Sequence, residues 1–150
     1  MKKLIYIAGV LLCILVVLQF FRPRLENPPV TQDLIAPAEV QHVFRKSCYA
    51  CHSNETALSW YDQIVPAYWL VASHVREGRT RLNFSHWDSL KAGDQQAVLF
   101  ESFNQATFGT MPLAAFTAVH HGAEITPEDI QTLRNYLTNL PHPDPRDTAR

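Results

Sequence analysis

The sequence predicts an all-α fold, with a small helical domain behind an N-terminal apolar helix. Three observations support this prediction. Apolar residues recur at helical spacing in several segments, proline and glycine stand where such segments would begin or end, and alternation with a period of two is scarce. A chain of 150 residues suits one small domain with an appendage.

The amino terminus has the pattern of a membrane signal. Lys2 and Lys3 precede an apolar run from Leu4 to Phe21, and no small-residue cleavage site follows it. Bilayer-spanning helices typically need about 17–25 residues, so the run is long enough to cross. We predict a signal anchor over residues 1–21, a single transmembrane helix in the bacterial inner membrane. A cleaved signal peptide remains the alternative, and Cys13 is interpreted as a thiol in an apolar helix.

Composition divides the rest of the chain into three parts. Residues 22–36 are rich in proline and polar side chains, which predicts an extended tether without packed structure. Residues 37–141 carry the helical pattern and form the predicted domain. Residues 142–150 are expected to be a polar C-terminal tail.

Start and stop signals mark the helices of the domain. Pro37 and Pro66 are each expected in the first turn of a helix, and Asp94 is expected to cap a third. The last helix has the strongest signal, because Thr126 and Asp129 have the spacing of a capping box. Four glycines are interpreted as following helical segments: Gly78, Gly93, Gly109 and Gly122.

The most informative motif is C-x-x-C-H at residues 48–52. Two thiols at this spacing can add to the two vinyl groups of one haem, and the next histidine can bind the iron as proximal ligand. We therefore predict one haem c, attached through two thioethers at Cys48 and Cys51 and ligated by His52. Covalent haem attachment takes place outside the bacterial cytoplasm, which places the domain in the periplasm.

Met111 is the predicted sixth ligand of the iron. It is the only methionine besides Met1, and it lies between Gly109-Thr110 and Pro112, as expected of a loop. A thioether ligand raises the reduction potential relative to a second histidine. Core packing is the ordinary role of a methionine, so histidine ligation stays open. The competing histidines are His74, His86, His120 and His121, with His42 and His142 nearer the edges of the domain.

Other classes of function have weaker support. The formal net charge of −1 gives no basic stripe for nucleic acid. A structural zinc site would need a fourth ligand beyond Cys48, Cys51 and His52, and a redox dithiol would need a βαβ setting. The basic cluster of Arg76, Arg79 and Arg81 could contact haem propionates or a partner protein, or could simply complement a helix end.

The chain also resembles a known family. The residues that support the resemblance are Cys48-Tyr-Ala-Cys-His-Ser-Asn-Glu-Thr56, Trp60-Tyr61, Pro66 to Trp87 (PAYWLVASHVREGRTRLNFSHW), Met111-Pro112-Leu113 and Ile125-Thr126-Pro127-Glu128. They are similar to the bacterial haem-binding-domain family of small c-type cytochrome-like proteins, over about residues 35–140. The resemblance implies a cytochrome c-like small helical haem domain. It also implies attachment at Cys48 and Cys51, proximal ligation by His52 and distal ligation by Met111.

These observations lead to one main functional hypothesis. We expect a membrane-anchored monohaem c-type cytochrome that carries one electron at a time between redox partner proteins, and that is not itself an enzyme. The alternative is a haem-based sensor or ligand-binding module whose sixth ligand can be displaced. Thiol or metal chemistry without haem is a third possibility, which covalent haem would exclude.

Overall fold

The computed structural model describes residues 1–141, and this part of the chain is helical. Its α-helices are α1 (Lys2–Leu18), α2 (Ala38–Ser47), α3 (Tyr49–His52), α4 (Ala67–Arg81), α5 (Ala92–Thr107), α6 (Ala114–Thr117) and α7 (Pro127–Thr138). Short 3-10 turns lie at Tyr61–Gln63 and Trp87–Ser89. Within residues 1–141 there is no strand, only an isolated bridge between Gln32 and His86. The all-α prediction is confirmed. The predicted tail and His142 lie outside the described residues.

The helices of the domain pack in two groups. Helix α7 contacts both α2 and α5, whereas the short α3 packs on α4. Phe84 is fully buried where the groups meet. Its ring stacks on Tyr49 at 5.1 Å and also contacts Phe44 and Trp87, with ring centroids 5.1 and 6.0 Å away. This aromatic cluster links α2, α3 and the turn at Trp87–Ser89.

The local signals are correct at the last helix and wrong at α5. Thr126 and Asp129 form the predicted capping box, each side chain accepting a hydrogen bond from the other's backbone N–H. Helix α5 instead begins at Ala92, two residues before the predicted cap Asp94. The carboxylate of Asp94 therefore lies in the first turn, where it faces the positive end of the helix dipole.

The glycines also divide into two kinds. Gly109 and Gly122 have φ of 66° and 88°, a backbone region that favours glycine, and Gly109 follows the end of α5 as predicted. Gly78 and Gly93 lie inside α4 and α5, so the interpretation of these two as helix ends is wrong. At Gly78 the reason for glycine is a close tertiary contact.

Residues 19–36, which we call the strap, lie outside the helices but pack along the body of the domain. Hydrogen bonds join successive strap residues to distant partners: Gln19 to Val65, Arg22 to Gln63, Phe21 to Trp69, Pro23 to Tyr68, Glu26 and Asn27 to Arg79, Asn27 to Thr56, Pro29 to Asn54, and Thr31 to Ser85. Leu34 is 1% exposed and belongs to the core. The expectation of a tether without packed structure is therefore wrong.

The N-terminal helix α1 covers 17 residues, all of them apolar or uncharged apart from Lys2 and Lys3. None of its residues is fully buried, and Leu18 at its carboxyl end is half-buried. Across residues 1–141, no helix has both the length and the apolar composition needed to cross a membrane. The predicted transmembrane helix over residues 1–21 is thus without support in the structure.

The pairing of α2 with α7 predicts a pH-dependent contribution to stability. Lys46 Nζ lies 2.5 Å from Asp129 Oδ2. Burial raises the pKa of Asp129, but hydrogen bonds from Lys46 and Thr126 outweigh it, so the pKa lies below its usual value. A group with a lowered pKa stabilises the fold above its unfolded pKa of about 4, and this contribution is lost as the pH falls through the folded value.

We expect Lys46→Gln to lower the free energy of unfolding by about 1 kcal/mol near pH 7. The difference from the unsubstituted protein should shrink below about pH 4, as the carboxylate is protonated. Denaturant unfolding as a function of pH measures it. Arg24→Gln, in an exposed ion pair with Glu26, is the control and should have little effect. A difference that persists at low pH would contradict this assignment.

Candidate functional site

The residues of the C-x-x-C-H motif lie together on and beside α3. Cys48 joins α2 to α3, and Cys51 and His52 occupy the last two positions of α3. All three are half-buried. Tyr49, the first variable residue of the motif, is buried and donates a hydrogen bond through its hydroxyl to Asp33 Oδ1, 2.5 Å away. The motif is therefore attached to the core by a residue that the pattern leaves unspecified.

The backbone carbonyls of α3 are held by residues that follow it. Ser53 Oγ donates to the Tyr49 carbonyl at 2.8 Å, and Thr56 Oγ1 donates to that of Ala50 at 2.8 Å. The Phe84 N–H donates to the His52 carbonyl at 2.8 Å. A helix of four residues has almost no hydrogen bonds of its own, so these external donors fix its carboxyl end.

Helix α4 approaches the motif very closely at Gly78. A Cβ placed on Gly78 would lie 2.6 Å from the Cys51 carbonyl oxygen, a distance that no side chain can occupy. Arg79, the next residue, donates from Nε to the Ser53 carbonyl at 2.7 Å and from its other nitrogens to the strap. The contact of α4 with α3 therefore depends on a residue without a side chain.

The ring of His52 is oriented by the end of α4. Its Nδ1 lies 3.2 Å from the Leu82 carbonyl oxygen, which can only accept, so Nδ1 carries the proton and Nε2 has the free lone pair. Burial lowers the pKa of His52, against the hydrogen bonds to the Leu82 and Gly78 carbonyls. A neutral imidazole with a fixed tautomer is the form that binds a metal.

The two thiols have raised pKa values, whereas the thiols of a redox dithiol have lowered ones. Burial, followed by the proximity of Cys51, raises the pKa of Cys48 to about 12. Burial also raises the pKa of Cys51, although Arg79 acts against it. Disulfide oxidoreductases depend on a lowered thiol pKa, and zinc binds the thiolate. Among the described residues, no group of three histidine, cysteine or acidic side chains is arranged so that it could hold a metal ion. The raised pKa values of the thiols therefore argue against a redox dithiol.

Met111 lies in the loop between α5 and α6, and 38% of its surface is exposed. Its N–H and that of Thr110 both donate to the carbonyl of Gln105, which closes the end of α5. Loop placement agrees with the prediction from Gly109 and Pro112. Ligation of iron by Met111 stays a prediction.

The competing histidines differ in how far their rings are engaged. His86 has Thr31 Oγ1 at Nδ1 and Asn54 Nδ2 at Nε2, 3.0 and 3.1 Å away. His120 likewise has partners at both nitrogens. These contacts would have to break before either ring could bind iron. Three further histidines have no such double engagement among the described contacts: His42, His74 and His121.

His120 instead joins the segment after Met111 to the segment after the motif. Its Nε2 lies 2.9 Å from Asp62 Oδ2, and its Nδ1 lies 3.0 Å from the Phe116 carbonyl. The ring of His120 is therefore held at both of its nitrogens. Asp62 is 5% exposed, and the neighbouring Tyr61 hydroxyl donates to the Val119 carbonyl at 2.9 Å.

The sequence pattern does not identify the residues that support the motif. Arg79, a candidate for contact with haem propionates or a partner protein, instead has its guanidinium bonded to Ser53, Thr56 and the strap. Asn54 is buried and bonded to Pro29, His86 and Asn83, although it looks like an ordinary loop residue. The one available signal was the density of hydrogen-bonding side chains directly after His52.

Comparison with known proteins gives one positive result. A family model described as a haem-binding domain matches residues 13–139, which is most of the chain and includes the strap. Comparison with curated proteins and with solved structures gave no match. The matched residues contain all four predicted site residues.

The close contact at Gly78 predicts a large effect of a single methyl group. Gly78→Ala should lower the free energy of unfolding by about 1–3 kcal/mol, because α4 must move away from α3. Denaturant unfolding measures the loss. Gly9→Ala is the matched control, since nothing lies within 4 Å of a Cβ there. Equal stability of the Gly78 variant and the unsubstituted protein would contradict this prediction, because it would show that α4 can move away from α3 without loss of stability.

The contact of His120 with Asp62 predicts local ordering of the segment after Met111. Asp62→Asn should lower the free energy of unfolding by about 1–3 kcal/mol and speed hydrogen exchange at Val119 and His120, because a hydrogen bond of a buried side chain is weakened. Asp94→Asn, the same change on the exposed first turn of α5, should leave exchange there unchanged. Unaltered exchange in the Asp62 variant would rule out this role.

Proposed function

Since the chain belongs to the haem-binding-domain family, we propose that it is a monohaem c-type cytochrome that carries single electrons. The observation that supports this most directly is the geometry at α3, where two free thiols lie on and beside the helix together with a histidine whose Nδ1 is held by the Leu82 carbonyl. In this proposal the thiols of Cys48 and Cys51 would each add across one vinyl group of the haem and hold it covalently, and His52 would supply a ligand to the iron.

The residues around the motif suit an electron carrier. The bound haem would supply the one-electron couple of its iron. The contribution of the protein is to hold His52 in one orientation, through Leu82, and to hold the motif rigidly, through Gly78 and Arg79. A ligand that cannot reorient keeps the reorganisation on electron transfer small. We propose that Met111, in the loop between α5 and α6, would supply the second protein ligand to the iron.

The site of action that we propose is the periplasmic side of the bacterial inner membrane. The apolar stretch within residues 4–21 would attach the domain to the membrane, and redox partner proteins would exchange electrons with it. Two features support this. The side chains of α1 from Leu4 to Val17 are exposed, and c-type haem is attached outside the cytoplasm.

Absorption spectra test the ligand set and with it the function. Protein made with c-type maturation machinery should show the spectrum of a low-spin six-coordinate haem. The haem should stay attached to the polypeptide after denaturation, as expected for thioether bonds. Met111→Ala should lose the ferric methionine–iron charge-transfer band and have a lower reduction potential, because the thioether favours ferrous iron. His74→Ala is the control for a half-buried histidine and should keep the band.

Other outcomes separate the alternatives. An unchanged spectrum in Met111→Ala would assign the sixth ligand to a histidine. A high-spin spectrum in the unsubstituted protein would favour a sensor or ligand-binding module with an open position. Absence of covalent haem would contradict both functions.

A further inference from the structure

The end of α1 is joined to the domain without a free linker. Gln19 exchanges two hydrogen bonds with the backbone of Val65, from Nε2 to the carbonyl at 3.3 Å and from the Val65 N–H to Oε1 at 3.1 Å. Leu18 packs against the buried cluster of Val65, Tyr68 and Ala72. The first residues after α1 are therefore fixed against the start of α4.

Exposed aromatic and apolar side chains surround this junction. Phe20 and Phe21 are 84% and 67% exposed, Ile64 is 46% exposed and Trp69 is 37% exposed. The Trp69 indole nitrogen donates to the Phe21 carbonyl at 2.9 Å, so the two segments are in contact. These four residues form one apolar surface around the carboxyl end of α1.

Two arginines belong to the same surface. Arg22 donates from Nη1 to the Gln63 carbonyl at 3.0 Å, with its guanidinium 5.6 Å from the Tyr68 ring. Arg24 is exposed and pairs with Glu26 at 3.1 Å. We call Phe20, Phe21, Arg22, Arg24, Ile64 and Trp69 the collar. Its chemistry combines interfacial aromatics with cations that suit phosphate groups.

We propose that the collar docks on the surface of a bilayer that contains anionic phospholipid, which holds the domain in one orientation there. This inference rests on the proposed membrane attachment through the N-terminal segment. Continuity identifies the occupant, because the collar begins where the exposed apolar helix α1 ends and is hydrogen-bonded to that end. Tryptophan and phenylalanine would lie at headgroup depth, and the arginines would contact phosphates.

Photolabelling in nanodiscs tests the docking. The full haem-loaded chain is placed in nanodiscs of phosphatidylcholine and phosphatidylglycerol that carry a diazirine lipid reactive near the headgroups. Mass spectrometry then locates the labelled residues. We expect labelling at Ile64 and Trp69 several-fold above that at Phe100, an exposed aromatic on α5. Labelling of the collar should fall several-fold when phosphatidylglycerol is left out.

A pair of double variants tests the role of charge. Arg22→Gln with Arg24→Gln should lower labelling of the collar several-fold, while α1 stays labelled. Arg76→Gln with Arg81→Gln is the matched control, because these exposed arginines lie further along α4. It should leave labelling of the collar unchanged.

The outcomes distinguish this inference from the attachment on which it rests. Labelling of α1, with the collar labelled no more than Phe100, would overturn the docking and leave the attachment standing. Absence of labelling on α1 would overturn both. A collar that crosslinks to a protein and not to lipid would be the surface for a protein partner, which also overturns the proposal.

Discussion

The structure of this domain depends on how a helix of four residues is held in place. Helix α3 carries the C-x-x-C-H motif from Tyr49 to His52, with Cys48 just before it, yet it is too short to be stable alone. It is fixed from outside by α4, which passes so close at Gly78 that a single methyl group would collide with Cys51. Arg79 then joins the end of the motif to the strap. The orientation of His52 follows from this contact, because Leu82 begins where α4 ends.

The support of the motif also explains why so much polar chemistry lies behind it. Three polar residues behind the motif are buried: Ser53, Asn54 and Ser85. The side chain of each is hydrogen-bonded to a backbone group: Ser53 to the Tyr49 carbonyl, Asn54 to the Pro29 carbonyl and Ser85 to the Asn54 N–H. Buried polar groups with partners give a defined geometry, whereas an apolar core of the same size would permit sliding. The family match over residues 13–139 extends through all of these segments. The haem-binding domain is therefore a unit that includes the strap.

Local signals in the sequence were sufficient for some elements and not for others. The capping box of Thr126 and Asp129 was predicted because both partners are three residues apart. The interpretation of Gly78 as a helix end is wrong because glycine is required there by the close approach of Cys51, on another helix, and not by its neighbours in the sequence. The positions of the motif residues were read from their spacing. The residues that support the motif could not be identified in this way. The hydrogen bonds of Arg79 and Asn54 join segments far apart in the sequence, which no periodic pattern connects.

The strap has a consequence for the order in which the chain assembles. Its residues are synthesised first, but their partners come much later, with separations of 46 residues for Gln19 and Val65 and 54 for Thr31 and Ser85. Contacts this distant form slowly, because a long loop must close before they are gained. We therefore expect the strap to dock late, on a body whose local helices already exist. Until it docks, Asn54 and Thr56 lack the hydrogen bonds that join the segment after His52 to Pro29 and Asn27.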